Sequence, residues 1–304
     1  MRFPANGSAA RYEHTIERPV TASGVGLHCG VAANLRLAPA PAGQGVVFVR
    51  TDLDDFSIRA SWRHVAKVSY ATSLMRQSVL LSTTEHLLSS LRALGVDNVR
   101  VEIDHLEVPI LDGSALPWAE LLHEAGMRKQ RRHRRYLRML RPVEVREGDK
   151  RISIEPAQEF HVVCETRYPH PLVGPQRLEM AITPQAYLAG IAPARTFGFE
   201  QDLAMLRDMG LIRGASLENA VCFGPDSVLN HGGLRFPDEP CRHKLLDLIG
   251  DLALLGYPLL GRVVASRAGH AMHVALVDRI MHDPSSYELV TLDQLERAAG
   301  ASAA

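Results

Sequence analysis

Residues 242–251 of this 304-residue chain read Arg-His-Lys-Leu-Leu-Asp-Leu-Ile-Gly-Asp. Helical spacing of about 100° per residue puts His243, Asp247 and Asp251 in one polar row. Lys244 lies beside this row, and the remaining positions are mostly Leu, Ile or Ala. A helix that is apolar on nearly all sides is usually buried, so we expect the polar row to face an internal site.

The rest of the chain predicts strands and helices in both halves, and its length allows two domains with their own cores. In the first half, the predicted elements are a strand-rich stretch at 20–53, a helix that a capping box at 82–85 opens and Gly95 stops, a strand at 99–103 and a helix at 118–125. In the second half, they are strands at 143–145, 151–154, 160–164, 178–182 and 259–266 and helices at 200–209, 238–256 and 272–282. This succession is typical of an α+β fold.

The composition excludes several classes of protein. Lysine plus arginine and aspartate plus glutamate both total 34, so no net charge recruits nucleic acid or an anionic membrane. No apolar run is long enough to span a membrane, and residues 1–20 lack the apolar segment of a signal peptide. The four cysteines form no Cys-x-x-Cys pair, which argues against a disulfide framework and a thiolate zinc site. We therefore expect a cytoplasmic protein.

An arginine-rich segment at residues 128–141 separates the two halves. We interpret it as a solvated linker between a first domain at 1–127 and a second domain at 142–304. The alternative is weak attraction to anionic lipid headgroups, worth at most about 1 kcal/mol per basic residue. Membrane contact is therefore expected to be peripheral at most.

Two side chains of the polar row, His243 and Asp247, have the spacing of metal ligands. A catalytic zinc is held by three nitrogen or oxygen ligands and keeps one position for water. His86 is the best candidate for the third ligand, because the adjacent Glu85 could take a proton from that water. Two simpler interpretations stay open. His243 and Asp247 could form an exposed ion pair, and Glu85 could close a helix-capping box with Ser82.

The sequence gives weaker evidence that the other histidines belong to the site. His64, His105 and His231 are expected to serve packing or to lie at the surface. His270 is better placed, because it lies in a glycine-flanked turn between a predicted strand and a predicted helix.

Six short motifs follow one another in a characteristic order. They are STTEHL at 82–87, PILDGS at 109–114, ARTFGF at 194–199, GLRF at 233–236, HKLLD at 243–247 and AGHA at 268–271, with SGVGLH at 23–28 as a further match. In this order they resemble the UDP-3-O-acyl-N-acetylglucosamine deacetylase family, the zinc amidases of lipid A synthesis in Gram-negative bacteria. The resemblance extends from about residue 16 to residue 290.

The resemblance implies two α+β domains, each a β-sheet layered with two α-helices, with the active site in the interdomain cleft. It implies His86, His243 and Asp247 as ligands of Zn²⁺, with Fe²⁺ as an alternative ion. Glu85 then matches the general base and His270 the general acid.

Further residues are assigned only through the resemblance. Asp251 matches the carboxylate that keeps His270 cationic, and Thr196 matches the hydroxyl that stabilises the oxyanion. Lys244 and Lys150 match residues that hold polar and phosphate groups of the substrate, and Phe197 one that stacks on it. An insert around 197–222 would form the passage for the 3-O-acyl chain, with a lining that includes Phe199, Leu203, Ile212, Ala215, Ser216 and Cys222.

The implied reaction is hydrolysis of the 2-acetamido group of UDP-3-O-acyl-N-acetylglucosamine, releasing acetate, by a monomer with no organic cofactor or nucleic-acid partner. Three alternatives stay open: an amidase acting on another N-acetyl sugar, an iron(II) oxygenase with two histidines and one carboxylate, and a non-enzymatic sugar-nucleotide binder. Two positions depart from the family pattern. Cys29 stands where threonine is common, and His273 where asparagine is common.

Overall fold

A computed structural model describes residues 10–66 and 68–302 of the chain. The start of the predicted first domain, residues 1–9, lies outside the described residues. The strands are β1 (Tyr12–Ile16), β2 (Val20–Val25), β3 (Ala32–Pro39), β4 (Val46–Arg50), β5 (Phe56–Arg59), β6 (Leu74–Arg76), β7 (Val79–Leu81), β8 (Val99–Ile103), β9 (Met127–His133), β10 (Tyr136–Met139), β11 (Val143–Glu147), β12 (Lys150–Glu155), β13 (Phe160–Tyr168), β14 (Gly174–Ala181), β15 (Phe197–Phe199), β16 (Val221–Phe223), β17 (Leu259–Ser266) and β18 (Tyr287–Val290). The helices are α1 (Glu85–Leu94), α2 (Leu116–Ala125), α3 (Pro184–Gly190), α4 (Leu203–Asp208), α5 (Glu239–Leu252), α6 (His270–Met281) and α7 (Leu292–Ser302).

Two larger sheets dominate the fold. The first has five strands in the order β2-β3-β8-β4-β5, and only its β4–β8 pair is parallel. The second has seven strands arranged around β17, which pairs antiparallel with β12 and parallel with β10 and β13. The α+β fold is thus confirmed.

The helices that carry the predicted site pack against one another as well as on the sheets. Helix α1 packs against α2 and α5, while α5 also contacts α6, β13 and β14. Helix α6 packs on β11 and β12, and α2 contacts β2. The leucines and isoleucine of α5 are buried, which confirms the prediction of a buried helix. Burying each such side chain contributes roughly 1.5–3 kcal/mol relative to leaving it exposed.

The buried apolar side chains of both halves join one continuous cluster. Leu87 and Leu91 of α1 belong to it together with Leu245 and Leu248 of α5 and the fully buried Trp118 of α2. The two predicted domains therefore share apolar packing along the α1–α5 contact. Their boundaries stay a prediction.

The arginine-rich segment differs from its predicted form as a linker. Residues 127–133 form β9, which pairs with β1, and Tyr136–Met139 forms β10, which lies between β17 and β18. The basic side chains of β9 are exposed, so the segment has the composition of a solvated connector although its backbone is hydrogen-bonded. Charged residues are common on such exposed strands.

Several other predicted elements match closely. Strands β8 and β17 have the predicted bounds, and the predicted helix at 200–209 is a 3-10 turn at Glu200–Asp202 followed by α4. Beyond the predicted terminal helix, the chain adds β18 and α7. The longest helix among residues 10–66 and 68–302 is α5, with 14 residues, and no helix in this part is both long and apolar enough to cross a bilayer.

Candidate active site

Three buried side chains from α1 and α5 converge at the contact between these helices. His86 is the second residue of α1, while His243 and Asp247 lie one turn apart on α5. Potential ligand atoms of the three all lie within 4.8 Å of one another. Asp247 Oδ1 is 3.4 Å from His243 Nε2 and 3.7 Å from His86 Nε2. The exposed ion pair between His243 and Asp247 is therefore excluded, because both side chains are only 2% exposed.

The two oxygens of Asp247 have different environments. Oδ2 accepts a hydrogen bond from Lys244 Nζ at 2.8 Å. Oδ1 is buried and has no hydrogen-bond partner among the described residues. A buried carboxylate oxygen without a donor is costly, and here it faces two imidazole nitrogens. This donor set fits a bound divalent cation.

The protonation states of the three side chains also fit metal binding. Burial lowers the pKa of His86 to about 3 and also lowers the pKa of His243, so both rings are neutral near pH 7. Burial opposes ionisation of Asp247, but the cationic Lys244, which donates to its Oδ2, holds the pKa of Asp247 well below the usual value. Neutral imidazole and ionised carboxylate are the forms that bind metal ions.

A hydrogen bond to the backbone orients one of the two imidazoles. The carbonyl oxygen of Ala194 accepts from His243 Nδ1 at 3.1 Å, which leaves Nε2 for a metal ion. The Nδ1 atom of His86 is buried without a partner in the described part of the chain.

Glu85 is the first residue of α1, and its carboxylate does not form a capping box with Ser82. The N-cap is Thr84, which makes no side-chain capping bond. Instead, Glu85 Oε2 accepts from the backbone N–H of Thr72 at 3.1 Å, and Oε1 lies 3.9 Å from His270 Nε2. Burial raises the pKa of Glu85 to about 8. The carboxyl group thus faces the site and is a stronger base than a solvated glutamate.

The carboxylate of Asp251 holds His270 at the N-terminus of α6. Its Oδ2 accepts from His270 Nδ1 and from His273 Nδ1, each at 2.8 Å, and its Oδ1 accepts from the hydroxyl of Thr72. The Nε2 atom of His270 is 3.7 Å from Asp247 Oδ2. His270 therefore faces both Asp247 and Glu85.

The charges in this network favour a protonated His270. Burial lowers the pKa of His270, but Asp251 and Asp247 outweigh it and raise the pKa to about 9. Burial also lowers the pKa of His273, so this ring is neutral and donates from Nδ1. Burial opposes ionisation of Asp251 as well, yet His270 and the hydrogen bonds hold its pKa below the usual value.

Gly250 allows α5 to approach the start of α1 closely. A Cβ atom at this position would lie 2.1 Å from the carbonyl oxygen of Glu85. Only a residue without a side chain fits here, so Gly250 sets the distance between the backbone of Glu85 and the helix that carries Asp247.

Comparison with known proteins agrees with this geometry. The family model for UDP-3-O-acyl N-acetylglycosamine deacetylase matches residues 13–282. The chain belongs to this family. It is 65% identical over 285 residues to a UDP-3-O-acyl-N-acetylglucosamine deacetylase of Solibacter usitatus, covering 94% of this chain and 96% of that protein. It is 45% identical to the protein of the same name from Myxococcus xanthus, covering 91% of this chain and 89% of that one. The chain is thus a metal-dependent deacetylase.

Two residues assigned through the family resemblance, Phe197 and Lys244, lie next to the group of His86, His243 and Asp247 in this deacetylase. The Phe197 and His243 ring centroids are 6.3 Å apart, and Lys244 Nζ lies 5.9 Å from the centroid of Phe197. Thr196 follows Ala194 by two residues, and its backbone N–H donates to the carbonyl of Gly113 at 2.8 Å. The substrate contacts of these residues stay predictions.

Lys150 lies farther from the cluster. It is the exposed first residue of β12, directly after the turn that follows β11. In the antiparallel ladder its backbone lies opposite that of Glu147. The next residue of the strand, Arg151, pairs with Ser266 at the end of β17, four residues before His270. The structure therefore puts Lys150 on the His270 side of the deacetylase, without a contact to the metal ligands among the described residues.

The predicted passage residues all lie in the segment at 197–222 but differ in burial. Phe199 and Cys222 lie on the paired strands β15 and β16, and Phe199 packs against Phe223 with ring centroids 5.7 Å apart. Leu203, Ile212 and Ala215 are half-buried, and Ser216 is exposed. The same segment also exposes three large apolar side chains, Met205 (52%), Met209 (55%) and Leu217 (47%).

The segment at 197–222 is hydrogen-bonded to the loop between β2 and β3. Backbone N–H groups of Arg213 and Gly214 donate to the carbonyls of His28 and Leu27, both at 3.1 Å. A Cβ at Gly214 would lie 2.2 Å from the carbonyl oxygen of Gly26. Two segments distant in sequence therefore meet backbone to backbone beside the proposed acyl passage.

Sequence reasoning missed two residues of this site. Thr72 bonds to Glu85 through its backbone and to Asp251 through its hydroxyl, and no motif singles it out. The sequence marks His273 only as a departure from the family pattern, yet this residue shares Asp251 with His270. Its position three residues after His270 on a predicted helix could have indicated this role.

Proposed function

We propose that the chain is a zinc-dependent amidase that hydrolyses the 2-N-acetyl group of UDP-3-O-acyl-N-acetylglucosamine in lipid A biosynthesis. The main support is the unpartnered oxygen of Asp247, which faces two neutral histidines with Glu85 and His270 beside it. The names of the relatives supply the substrate. The site of action that we propose is the cytoplasm of a Gram-negative bacterium.

His86, His243 and Asp247 would hold the metal ion. Zinc bound there would polarise the amide carbonyl and lower the pKa of a bound water to about 7. Ferrous iron suits the same ligands and is the alternative ion. A cation so close to Glu85 would also favour the ionised form of this carboxylate, as a base requires.

Glu85 and His270 divide the proton transfers in the proposed mechanism. Glu85 takes a proton from the attacking water, and protonated His270 delivers one to the leaving amine. Asp251 keeps His270 protonated, because its charge raises the pKa of the imidazole. Thr196 is proposed to stabilise the oxyanion through its hydroxyl group.

Substrate binding is assigned to residues around this centre. Lys244 and Lys150 would hold polar and phosphate groups, and Phe197 would stack on the substrate. The insert lined by Phe199, Leu203, Ile212, Ala215, Ser216 and Cys222 would take the 3-O-acyl chain. The apolar side chains that this insert leaves exposed support binding of a hydrocarbon chain.

The decisive experiment offers UDP-3-O-acyl-GlcNAc of graded acyl length to the purified protein and measures acetate release. We expect turnover that depends on acyl length, is lost with a chelator and returns with Zn²⁺. The Glu85→Gln variant should keep bound metal and lose at least about 10²-fold in kcat.

Other outcomes identify the competing functions. Turnover independent of acyl length would favour an amidase acting on another N-acetyl sugar. Oxygen consumption without acetate would favour an iron oxygenase. Substrate binding without turnover by the unmodified protein would favour a sugar-nucleotide binder.

A further inference from the structure

A cavity lies at the other end of the helices that build the candidate active site. It is a cleft of about 470 Å³, and its wall includes Asp97 after α1 and Gly256 after α5. With a rise of 1.5 Å per residue, α1 separates it from Glu85 by roughly 14 Å. The cleft shares no lining residue with the candidate active site. Its volume is in the range of small-molecule sites.

The wall of this cleft is strongly basic. Its ionisable side chains include two carboxylates, Glu13 and Asp97, and five arginines: Arg59, Arg63, Arg132, Arg134 and Arg135. In a protein with balanced charges overall, this concentration of arginine is local. A concave wall of one sign focuses the field and attracts ions of the opposite sign.

Two of the five arginines are already neutralised by the two carboxylates. Arg132 Nε lies 3.1 Å from Glu13 Oε1, and Arg134 Nε lies 2.8 Å from Asp97 Oδ1. The other three, Arg59, Arg63 and Arg135, have no carboxylate within ion-pair distance in the described part of the chain. Three positive charges in the cleft therefore lack a counter-charge.

Aromatic rings hold two of these three guanidinium groups in place. Arg63 lies over Trp62, 4.7 Å from the ring centroid, and Arg135 lies over Tyr257 at 5.1 Å. Arg135 Nη2 also donates to the hydroxyl of Tyr257 at 3.0 Å. Stacking fixes the plane of a guanidinium and leaves N–H groups at its edge for a ligand. The planar fork of arginine matches the oxygens of a phosphate.

Neither helix capping nor membrane binding accounts as well for the basic cleft. Cations stabilise helix C-termini, but Arg92 is the residue that reaches such a carbonyl, that of Ala253 at 3.4 Å. In the described chain, Arg59 and Arg63 donate to no helix carbonyl. A membrane surface is flat, whereas these arginines line a concave cleft that admits only a small ligand.

We propose that this cleft is a binding site for a phosphate-bearing small molecule of about nucleotide size, separate from the active site. Arg59, Arg63 and Arg135 would hold the phosphate oxygens. The inference does not depend on the substrate proposed for the active site.

Trp62 provides a direct probe of this site. The chain has two tryptophans, and the other, Trp118, is fully buried in the core. Titration with inorganic phosphate and pyrophosphate should change the fluorescence of Trp62 in a saturable way, and calorimetry gives the affinity. A Trp62→Phe variant should lose the optical signal and keep the calorimetric one.

Variants of the three unpaired arginines test whether phosphate and pyrophosphate bind in this cleft. The double variant Arg59→Gln/Arg63→Gln should bind pyrophosphate at least roughly tenfold more weakly, and Arg135→Gln should weaken binding in the same direction. The matched control is Arg131→Gln, which removes one exposed arginine from β9 that is next to the cleft residue Arg132 but does not itself line the cleft. It should bind like the parent protein, and all variants should keep the parent kcat/KM for deacetylation.

Three results would overturn the proposal. One is the absence of saturable phosphate or pyrophosphate binding at millimolar concentration. Another is binding that the double variant and Arg131→Gln affect equally. The third is binding to anionic vesicles that depends on Arg59 and Arg63, without binding of pyrophosphate.

Discussion

Two buried groups of the same residue types lie one helical turn apart on α5, and their hydrogen bonding differs. Asp247 lies with His86 and His243, and its Oδ1 has no hydrogen-bond partner among the described residues. Asp251 lies with His270 and His273, and both of its oxygens accept hydrogen bonds. We call these sets the open group and the closed group.

The histidine nitrogens of the two groups also differ in whether they hydrogen-bond to the aspartate. In the open group, the Nε2 atoms of His243 and His86 lie 3.4 and 3.7 Å from Asp247 Oδ1 without forming hydrogen bonds. In the closed group, two Nδ1 atoms lie 2.8 Å from Asp251 Oδ2. The same three residue types thus make up the proposed metal site in one group and the proposed proton-transfer site in the other. The two groups differ in whether both carboxylate oxygens of the aspartate already accept hydrogen bonds from the protein.

The strongest test of this comparison removes a ligand from the open group. His243→Ala should lose bound metal, and kcat/KM should fall by at least about 10³-fold because metal stabilisation is worth several kcal/mol. Metal analysis of the purified variant checks the cause. An unchanged metal content in His243→Ala would contradict the assignment of the open group.

The closed group should respond differently to the loss of its carboxylate. Asp251→Asn should keep its metal and lose about 10²-fold in kcat, the contribution of a general acid. The charge of Asp251 raises the pKa of His270, so removing it lowers this pKa. The acid form is lost as pH rises through the pKa, so the basic limb of the pH–rate profile should move to lower pH. A basic limb that stays in place would argue against His270 as the acid.

Thr72 tests how far the closed group depends on its hydroxyl donor. Thr72→Val removes the bond to Asp251 Oδ1 while keeping the shape of the side chain, and kcat should fall about tenfold. Thr72→Ser keeps a hydroxyl and serves as the control. Equal kcat values in the two variants would show that the hydroxyl is dispensable.

The smallest effect is expected at His273. His273→Asn keeps an N–H donor for Asp251 and should stay within about threefold of the parent kcat. His273→Leu removes the donor, and kcat should fall about tenfold with KM unchanged. Steady-state kinetics of the two variants separates hydrogen bonding from packing, and equal losses would assign His273 to packing alone.

The sequence predicts those parts of the site that depend on helical spacing. The row of His243, Asp247 and Asp251 follows from residues four apart on one apolar helix, and the structure has that helix. Thr72 could not be found in this way, because it meets Asp251 across 179 positions of sequence. A hydroxyl in a loop carries no periodic signal.

Local patterns do not decide the structure where distant residues supply the hydrogen bonds. Ser82 to Glu85 has the sequence of a capping box, but Thr72 donates to the carboxylate of Glu85 and α1 begins at Glu85 itself. The segment at 128–141 has the composition of a linker, but strand pairing with β1 and β17 orders its backbone. In both cases the deciding hydrogen bonds come from distant residues.

Gly250 has a consequence for efforts to make a more thermostable enzyme. Glycine inside a helix is about 1 kcal/mol less favourable than alanine, so a propensity scale would recommend Gly250→Ala. The added methyl group would lie 2.1 Å from the carbonyl oxygen of Glu85 and would displace the peptide that carries the proposed base. A stabilised enzyme should therefore retain this glycine and gain its stability from positions outside the α1–α5 contact.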